Sequence, residues 1–305
     1  MGYRVSTNPQ RVREIIVKSI LNKKKNRDSW FLDDYTLNPY EGCSFNCQYC
    51  YIRGSKYGKD MTEGLGVKAN GPEVLERQLA FRVKKEQRGI IALASATDPY
   101  ISAEEKYRMT EKFLALILKH QFPVMIITKS KLVLRDLDLL HRIDQQAIHA
   151  PDLRDKLTRG AVISFSLSTL DDAIAATLEP GAPPPMERLE TMKKCKEAGL
   201  KVGVSCIPTL PFISDGDDHL ELIVSTAKAY GADFIFIGGL TLFGNQPADS
   251  KTLYYKFLER KYPHLGRDYK SLYRIFFSPP KSYLAALNEK AGRICEKYEI
   301  SRSIM

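Results

Sequence analysis

The segment Cys43-Ser-Phe-Asn-Cys47-Gln-Tyr-Cys50-Tyr51 places three cysteines in one short loop, at the spacing C-x3-C-x2-C. Cysteine thiolates hold iron–sulfur clusters, and a cubane cluster normally takes four of them. Three thiolates with no evident fourth leave one iron open, and an open iron binds a small molecule through an amine and a carboxylate. The alternatives are a zinc site or three structural cysteines. Zinc prefers four ligands, often in two C-x2-4-C pairs, and no second pair follows here.

The spacing, with an aromatic residue directly before the last cysteine, resembles the motif of the radical S-adenosylmethionine (SAM) enzymes. Within that superfamily the chain is similar to the spore photoproduct lyase-like group, the "DNA repair photolyases". The resemblance extends from about Leu37 to Pro211. The blocks that carry it include Leu37-Asn-Pro-Tyr-Glu-Gly-Cys43, Thr97-Asp-Pro-Tyr100, Ile127-Thr-Lys-Ser130, Leu178-Glu-Pro180 and Pro208-Thr-Leu-Pro211.

This resemblance implies a 4Fe–4S cluster on Cys43, Cys47 and Cys50, with SAM bound to the open iron by its amino and carboxylate groups. It implies that an external one-electron donor of the flavodoxin or ferredoxin type reduces the cluster. Reductive cleavage of SAM then gives a 5′-deoxyadenosyl radical, which abstracts hydrogen from the substrate. The cofactor supplies this chemistry, and the protein supplies position and excludes water.

Length and composition indicate a soluble globular protein. The chain has 305 residues, of which 44% are hydrophobic and 27% charged, so it suits one large domain or slightly more. No apolar run approaches the roughly 18–20 residues of a membrane span. The first residues hold no apolar signal core, and six cysteines in so long a chain are not typical of a disulfide framework. We therefore expect a cytoplasmic protein without membrane attachment.

The net charge of +10 favours polyanions or anionic small molecules as partners. Together with the resemblance, it leads us to expect a nucleic-acid substrate that is repaired or modified. Two other functions stay open. A radical SAM enzyme acting on a small molecule or peptide would work without nucleic acid, and a non-catalytic iron–sulfur protein would bind nucleic acid but never cleave SAM.

Short apolar runs alternate with amphipathic stretches along the chain, which predicts a parallel sheet with helices outside. Predicted strands cover 90–95, 124–128, 161–168, 201–207 and 233–238, with one more before Cys43. Predicted helices cover 72–87, 104–119, 132–147, 186–198, 218–230, 249–262 and 281–298. Six βα units make an α/β fold, the partial (β/α)6 TIM-type barrel that the resemblance implies. A doubly wound open sheet fits the periodicity equally well.

We divide the chain into three regions. Residues 1–34 form an N-terminal helical segment with a helix at 10–25, residues 35–244 form the barrel, and residues 245–305 form a C-terminal helical extension. The glycine-rich residues 52–71 are expected to be irregular and to lie over the cluster. Tyrosines and basic residues alternate in the extension, where they either stack on bases or pack helices against the barrel.

In either fold, functional residues lie at the carboxyl ends of the strands. Lys129 ends the apolar run from Val124; such a lysine can reach solvent or hold a carboxylate, and the resemblance implies the carboxylate of SAM. Thr97 and Asp98 follow the second strand, where the resemblance implies a hydroxyl contact to SAM. Asp98 before Pro99 also fits a simple turn.

Ser164, Ser166 and Ser168 alternate with apolar residues in one predicted strand. Because side chains alternate between the faces of a strand, all three hydroxyls share one face, and we expect that face to point into the barrel. We predict that Ser164 and Ser166 contact SAM, with Ser166 at its methionyl end. The alternative is that the serines satisfy one another or water.

Two tyrosines and one cysteine complete the predicted site. The resemblance implies that Tyr49 packs near the adenine of SAM and that Tyr51 lies near the radical path, although both also suit plain packing. The lyase carries a hydrogen-donating cysteine three residues before the aspartate, where this chain has Ser95. Cys206 is the candidate replacement donor, with a buried structural cysteine as its alternative.

Overall fold

The computed structural model describes residues 12–56, 58 and 64–305. Its strands are β1 (Arg13–Ile15), β2 (Leu21–Lys23), β3 (Tyr35–Leu37), β4 (Tyr40–Glu41), β5 (Gly66–Lys68), β6 (Ile91–Leu93), β7 (Val124–Thr128), β8 (Ala161–Ser166), β9 (Lys201–Thr209) and β10 (Phe234–Gly239). Its α-helices are α1 (Gly71–Lys84), α2 (Glu104–Tyr107), α3 (Met109–Lys119), α4 (Leu137–Gln146), α5 (Asp172–Leu178), α6 (Pro185–Glu197), α7 (Asp217–Ala229), α8 (Ser250–Lys261), α9 (Gly266–Leu272) and α10 (Lys281–Lys297).

The main sheet has the strand order β10-β9-β8-β7-β6-β3-β2. From β3 to β10 neighbouring strands are parallel, and β2 is antiparallel at the edge. Each parallel strand lies beside the one before it in the chain, so the order never reverses as it does in a doubly wound sheet. The predicted partial (β/α)6 barrel is therefore confirmed.

Burial on both faces explains why the central strands are continuously apolar. All residues of β8 are buried. Its Ile163 and Phe165 join the core beneath the helices, so the serines that alternate with them face the barrel interior, as predicted.

The predicted helix at 10–25 is wrong in its described part. β1 pairs in parallel with β5, and β2 pairs with β3 at the sheet edge. Val12, Ile15, Ile16, Val17 and Ile20 have β-branched side chains that favour strands, and strand pairing prevailed over the helical spacing. The glycine-rich stretch is not wholly irregular either, since β5 lies within it; residues 57 and 59–63 of that stretch lie outside the described residues.

The predicted helices 104–119 and 132–147 both differ from the structure: the first is divided in two, and the second starts as a 3-10 helix. Arg108 has a left-handed backbone, with φ of 49°, and divides the predicted helix 104–119 into α2 and α3. The stretch expected to start helix 132–147 is a 3-10 helix over Lys131–Asp136. The short helices α5 and α9 were missed because so few residues carry little periodic signal.

The C-terminal region packs onto the barrel in two ways. α10 contacts β10 and α7, so it takes the place of the helix after the sixth parallel strand. α8 and α9 contribute Tyr254, Tyr269 and neighbouring residues to a second core that contains Phe45 and Cys47 of the cysteine loop. The boundary at residue 245 stays a prediction. Within the described ranges, no helix has both the length and the apolar character that crossing a bilayer requires.

Candidate active site

A cavity of about 440 Å³ lies inside the barrel and extends to the loops that follow its strands. Its volume is in the range of small-molecule sites. The predicted site residues that line it are Cys43, Cys47, Tyr49, Cys50, Tyr51, Thr97, Asp98, Lys129 and Ser166. Small side chains, among them Thr36, Ala92, Ala94 and Ser205, face the same space, which explains why the barrel interior is not filled.

The cysteine loop brings three thiols to this cavity, and none of them forms a disulfide. Burial raises the pKa of Cys43 to about 12 and that of Cys47 well above its usual value. Since the thiolate is the form that binds metals, a cation bound to Cys43 and Cys47 would have to offset this effect of burial. A set of bare thiols beside a cavity suits an iron–sulfur cluster.

The arrangement does not suit one metal ion. In the described part of the chain, no group of three or more His, Cys, Asp or Glu side chains converges on a single-ion site. Thiolates that share one zinc each lie about 2.3 Å from it, whereas the thiolates of a cubane bind different irons. Three cysteines are also one ligand short of a closed zinc site.

The segment 177–181 holds the cysteine loop from outside. The Gln48 backbone N–H donates to the Leu178 carbonyl at 2.7 Å, and the Gly181 N–H donates to the Phe45 carbonyl at 3.0 Å. A Cβ atom on Gly181 would meet the Ser44 carbonyl oxygen at 2.2 Å. Only glycine fits this approach of two backbones.

We predict that Gly181→Ala displaces the cysteine loop, because the clash is with backbone rather than with a flexible side chain. The free energy of unfolding should fall by about 1–3 kcal/mol, and the iron bound after reconstitution should fall with it. The control is Gly266→Ala in α9, where a Cβ meets nothing within 4 Å and alanine should be neutral or stabilising. Urea unfolding and iron analysis check both variants, and equal behaviour of the two would contradict the prediction.

A buried network joins the loop to the strand ends. The Tyr49 hydroxyl donates to Glu179, Arg188 forms an ion pair with Glu179, and the Ser168 hydroxyl donates to the Tyr49 oxygen at 2.9 Å. Lys129 Nζ lies 3.9 Å from Glu179 Oε1. Burial raises the pKa of Glu179, and Arg188 counteracts that shift. The network fixes Tyr49 beside the cysteines.

Asp98 lines the cavity, but neighbouring residues occupy its carboxylate oxygens. They accept hydrogen bonds from the Tyr100 N–H at 2.9 Å, the Thr128 hydroxyl at 2.8 Å and the Lys129 N–H at 2.8 Å. Thr97 donates to the Gly42 carbonyl at 2.5 Å. In this structure the two residues fix the positions of Lys129 and the cysteine loop; their predicted contact with SAM stays a prediction.

The serines divide between two environments. Ser166 lines the cavity, together with Ser205 from β9. Ser164 is fully buried, and its Oγ lies 2.6 Å from Oγ of Ser205, which matches the alternative that the serines satisfy one another. Ser168 bonds to Tyr49.

Tyr51 and Ser95 meet at the cavity, where the Tyr51 hydroxyl donates to the Ser95 carbonyl. Cys206 is not brought there. Ser205 and Ile207 on either side of it line the cavity, whereas Cys206 is fully buried in the core beneath the helices. Strand alternation turns it away from the interior, so its predicted role as hydrogen donor has no geometric support.

Sequence reasoning missed several residues of the site. Lys24, Asp28, Trp30 and Asp33 line the cavity although they precede the first barrel strand. Glu179 lies in the sequence block Leu178-Glu-Pro180, which did not single it out as a site residue. A carboxylate at the start of a glycine- and proline-rich loop was the available signal for it.

Three of the C-terminal tyrosines act in packing. The hydroxyl groups of Tyr254 and Tyr269 form a hydrogen bond of 2.9 Å, and the Tyr273 hydroxyl donates to the Leu240 carbonyl at 2.9 Å. All three are buried, so they cannot stack on the bases of a bound nucleic acid.

Comparison with known proteins gives one family. The family model described as "Radical SAM superfamily" matches residues 37–224. An uncharacterized protein of Mycobacterium tuberculosis is 31% identical over 294 residues, covering 94% of this chain and 81% of that protein. A protein of Pseudomonas phage M6 named radical SAM Nalpha-GlyT isomerase is 22% identical over 208 residues, covering 68% of this chain and 39% of its own.

Solved structures give the same fold. Spore photoproduct lyase complexed with dinucleoside spore photoproduct has a TM-score of 0.65 at 15% identity, covering 94% of this chain and 79% of that chain. A variant of the lyase with bound AdoMet and dinucleoside spore photoproduct has a TM-score of 0.60 at 15% identity, covering 93% and 79%.

Proposed function

Since the chain belongs to the radical SAM superfamily, is a radical SAM enzyme and has the fold of spore photoproduct lyase, we propose that Cys43, Cys47 and Cys50 hold a 4Fe–4S cluster at which SAM is cleaved. The observation that carries the proposal is the meeting of three undisulfided cysteines with Lys129 and Ser166 at one cavity. When bound, the cluster supplies one electron to the sulfonium of SAM, giving methionine and a 5′-deoxyadenosyl radical.

The side chains of the cavity bind and orient SAM. Lys129 donates to the carboxylate of SAM. In this structure Lys129 Nζ lies 3.9 Å from Glu179 Oε1, too far for a hydrogen bond, so the ammonium is available to SAM. Ser166 and Ser205 donate to or accept from its methionyl end, and Tyr49 packs beside the adenine with its hydroxyl fixed by Glu179. The surrounding apolar wall excludes water, so that the radical meets only the substrate.

For the substrate we propose nucleic acid, repaired or modified after hydrogen abstraction. Support comes from the net charge of +10 and from a fold neighbour that holds a dinucleoside. Ser95 stands where the lyase has its hydrogen-donating thiol, and an O–H bond gives up a hydrogen atom less readily than an S–H bond. Tyr51, whose hydroxyl contacts the Ser95 carbonyl, is the phenol available at that place. We further propose a cytoplasmic enzyme reduced by a flavodoxin- or ferredoxin-type donor.

An anaerobic product assay tests the proposal. The protein is reconstituted with iron and sulfide, given SAM and dithionite, and assayed for 5′-deoxyadenosine with UV-irradiated DNA, plain DNA, RNA or no addition. We expect a basal yield that one nucleic acid raises, with a mass change in that nucleic acid, and no yield from Cys50→Ala. The control Cys195→Ala alters a buried cysteine in the core beneath the helices.

Two other outcomes decide between the alternatives. If the wild type gives no more 5′-deoxyadenosine than Cys50→Ala, the catalytic proposal fails. If a basal yield is unchanged by every nucleic acid, the substrate is a small molecule or peptide, and the cavity volume of about 440 Å³ is in the range of small-molecule sites.

A further inference from the structure

The cavity has a second end, formed by the segment that closes the open side of the barrel. This segment, residues 24–34, joins the edge strand β2 to β3 and reaches across to β10. The Trp30 ring stacks on Phe236 of β10 at 5.9 Å, and Phe31 meets the same ring edge-on at 5.3 Å. Trp30 and Phe31 also line the cavity. They form an aromatic wall where a partial barrel would otherwise be open.

A compact charged group faces the cavity beside this wall. Lys24 Nζ lies 2.6 Å from Asp28 Oδ2 and 2.8 Å from Asp33 Oδ1. Asp28 Oδ1 also accepts the backbone N–H groups of Trp30 at 2.9 Å and Phe31 at 2.6 Å. Asp33 is 1% exposed, and all three charged residues line the cavity. Asp28 thus connects the charged group to the aromatic wall through the backbone of Trp30 and Phe31.

The charged group lies at the amino end of β3, since the Lys24 N–H donates to the Asp34 carbonyl at 2.8 Å. The cysteine loop follows the carboxyl end of the same strand. At about 3.3 Å per residue, β3 separates the two ends by roughly 10 Å. A planar ring held at the charged end would therefore extend towards the cysteine end, where hydrogen abstraction is proposed.

The group sets two carboxyl groups, Asp28 and Asp33, beside one ammonium, Lys24. Burial and the neighbouring Asp28 raise the pKa of Asp33 to about 6. Burial opposes ionisation of Asp28, but hydrogen bonds with Asp33 and Lys24 lower its pKa to about 2. Lys24 is the ammonium that contacts both carboxyl groups. Within a mostly apolar cavity, carboxyl oxygens beyond those that Lys24 contacts are stabilised by a ligand that brings an N–H donor.

Resting on the proposed function, we propose that Lys24, Asp28 and Asp33 bind the edge of one extruded nucleobase that has a ring N–H next to a carbonyl, as guanine, thymine and uracil do. The carboxylates accept the ring N–H, Lys24 donates to the carbonyl, and Trp30 contacts the ring. Adenine and neutral cytosine lack the ring N–H at this edge. The charged group lines the same cavity as the cysteines, and a base inside it cannot stay stacked in a helix, so a base from a duplex must be flipped out.

Trp30 makes the test possible, because it is the single tryptophan of the chain and lies in the proposed site. The reconstituted protein, with SAM and without reductant, is titrated with the dinucleotides TpT, UpU, ApA and CpC while Trp30 fluorescence is recorded. We expect at least about tenfold tighter binding of TpT and UpU than of ApA and CpC, which lies within the range of one specific base contact. The variants are Asp33→Asn and Lys24→Met, and the matched control is Lys25→Met on an exposed neighbour.

The preference should fall to about threefold or less in Asp33→Asn and in Lys24→Met, and it should persist in Lys25→Met. Equal affinities in the wild type, no binding of any dinucleotide, or a preference that survives in both site variants would overturn the inference. Circular dichroism and the 5′-deoxyadenosine yield are measured on the same preparations. A folded protein that still cleaves SAM but binds the four dinucleotides equally well contradicts this inference alone. A protein that cleaves no SAM contradicts the proposed function.

Discussion

Glu179→Ala lowers the free energy of unfolding by about 3–5 kcal/mol, because it leaves Arg188 as an uncompensated buried charge. The side chains of Arg188 and Glu179 are 1% and 3% exposed, so water cannot replace the lost carboxylate. Arg188 keeps hydrogen bonds to the Ser166 and Pro183 carbonyls, but those groups carry no negative charge. The Tyr49 hydroxyl loses its acceptor at the same time.

Urea unfolding of the cluster-free protein measures this loss without interference from iron. Glu187→Ala is the matched control, since Glu187 lies in the first turn of α6 next to Arg188 and pairs with Lys131, whose side chain is 70% exposed. An exposed pair of this kind contributes at most about 1 kcal/mol. Equal losses in the two variants would show that Glu179 and Arg188 do not form the buried pair described here.

Lys129→Met weakens SAM binding by about 10- to 100-fold, since a hydrogen bond to a charged group is worth about 1.5–3 kcal/mol. The Lys129 backbone is fixed by Asp98, and its side chain is 12% exposed at the cavity. Methionine keeps much of the length and apolar volume of lysine, so the substitution removes the charge and leaves the packing.

Anaerobic equilibrium dialysis with labelled SAM checks the affinity, and iron analysis confirms that the cluster is still loaded. Lys131→Met, two residues further along and largely exposed, should bind SAM as the wild type does. If Lys129→Met binds SAM within threefold of the wild type with full iron content, Lys129 does not hold the carboxylate.

The strand ends could be predicted from sequence because alternation and apolar runs are local signals. Alternation places Ser164 and Ser166 on the inner face of β8, opposite Ile163 and Phe165 of the core beneath the helices. The same rule, applied to β9, would have placed Cys206 with Val202 and Val204 beneath the helices, where the structure has it.

Other parts of the site depend on contacts that no local pattern contains. The helical spacing at 10–25 misled because pairing with β3 and β5 decides that segment. Lys24 and Asp33 lie at the cavity because β2 pairs with β3 and places them side by side at the amino end of β3. The pairing of Glu179 with Arg188 requires α6 to return to the cysteine loop, which is a property of the fold.

Electron paramagnetic resonance of the reconstituted, dithionite-reduced protein, with and without SAM, tests the central claim most directly. We expect about four irons per chain, the signal of a reduced 4Fe–4S cluster, and a change in that signal when SAM is added. Cys43→Ala, Cys47→Ala and Cys50→Ala should each lose the signal, while Cys195→Ala keeps it. A signal that SAM leaves unchanged, or one that survives in all three loop variants, would contradict a SAM-binding cluster on Cys43, Cys47 and Cys50.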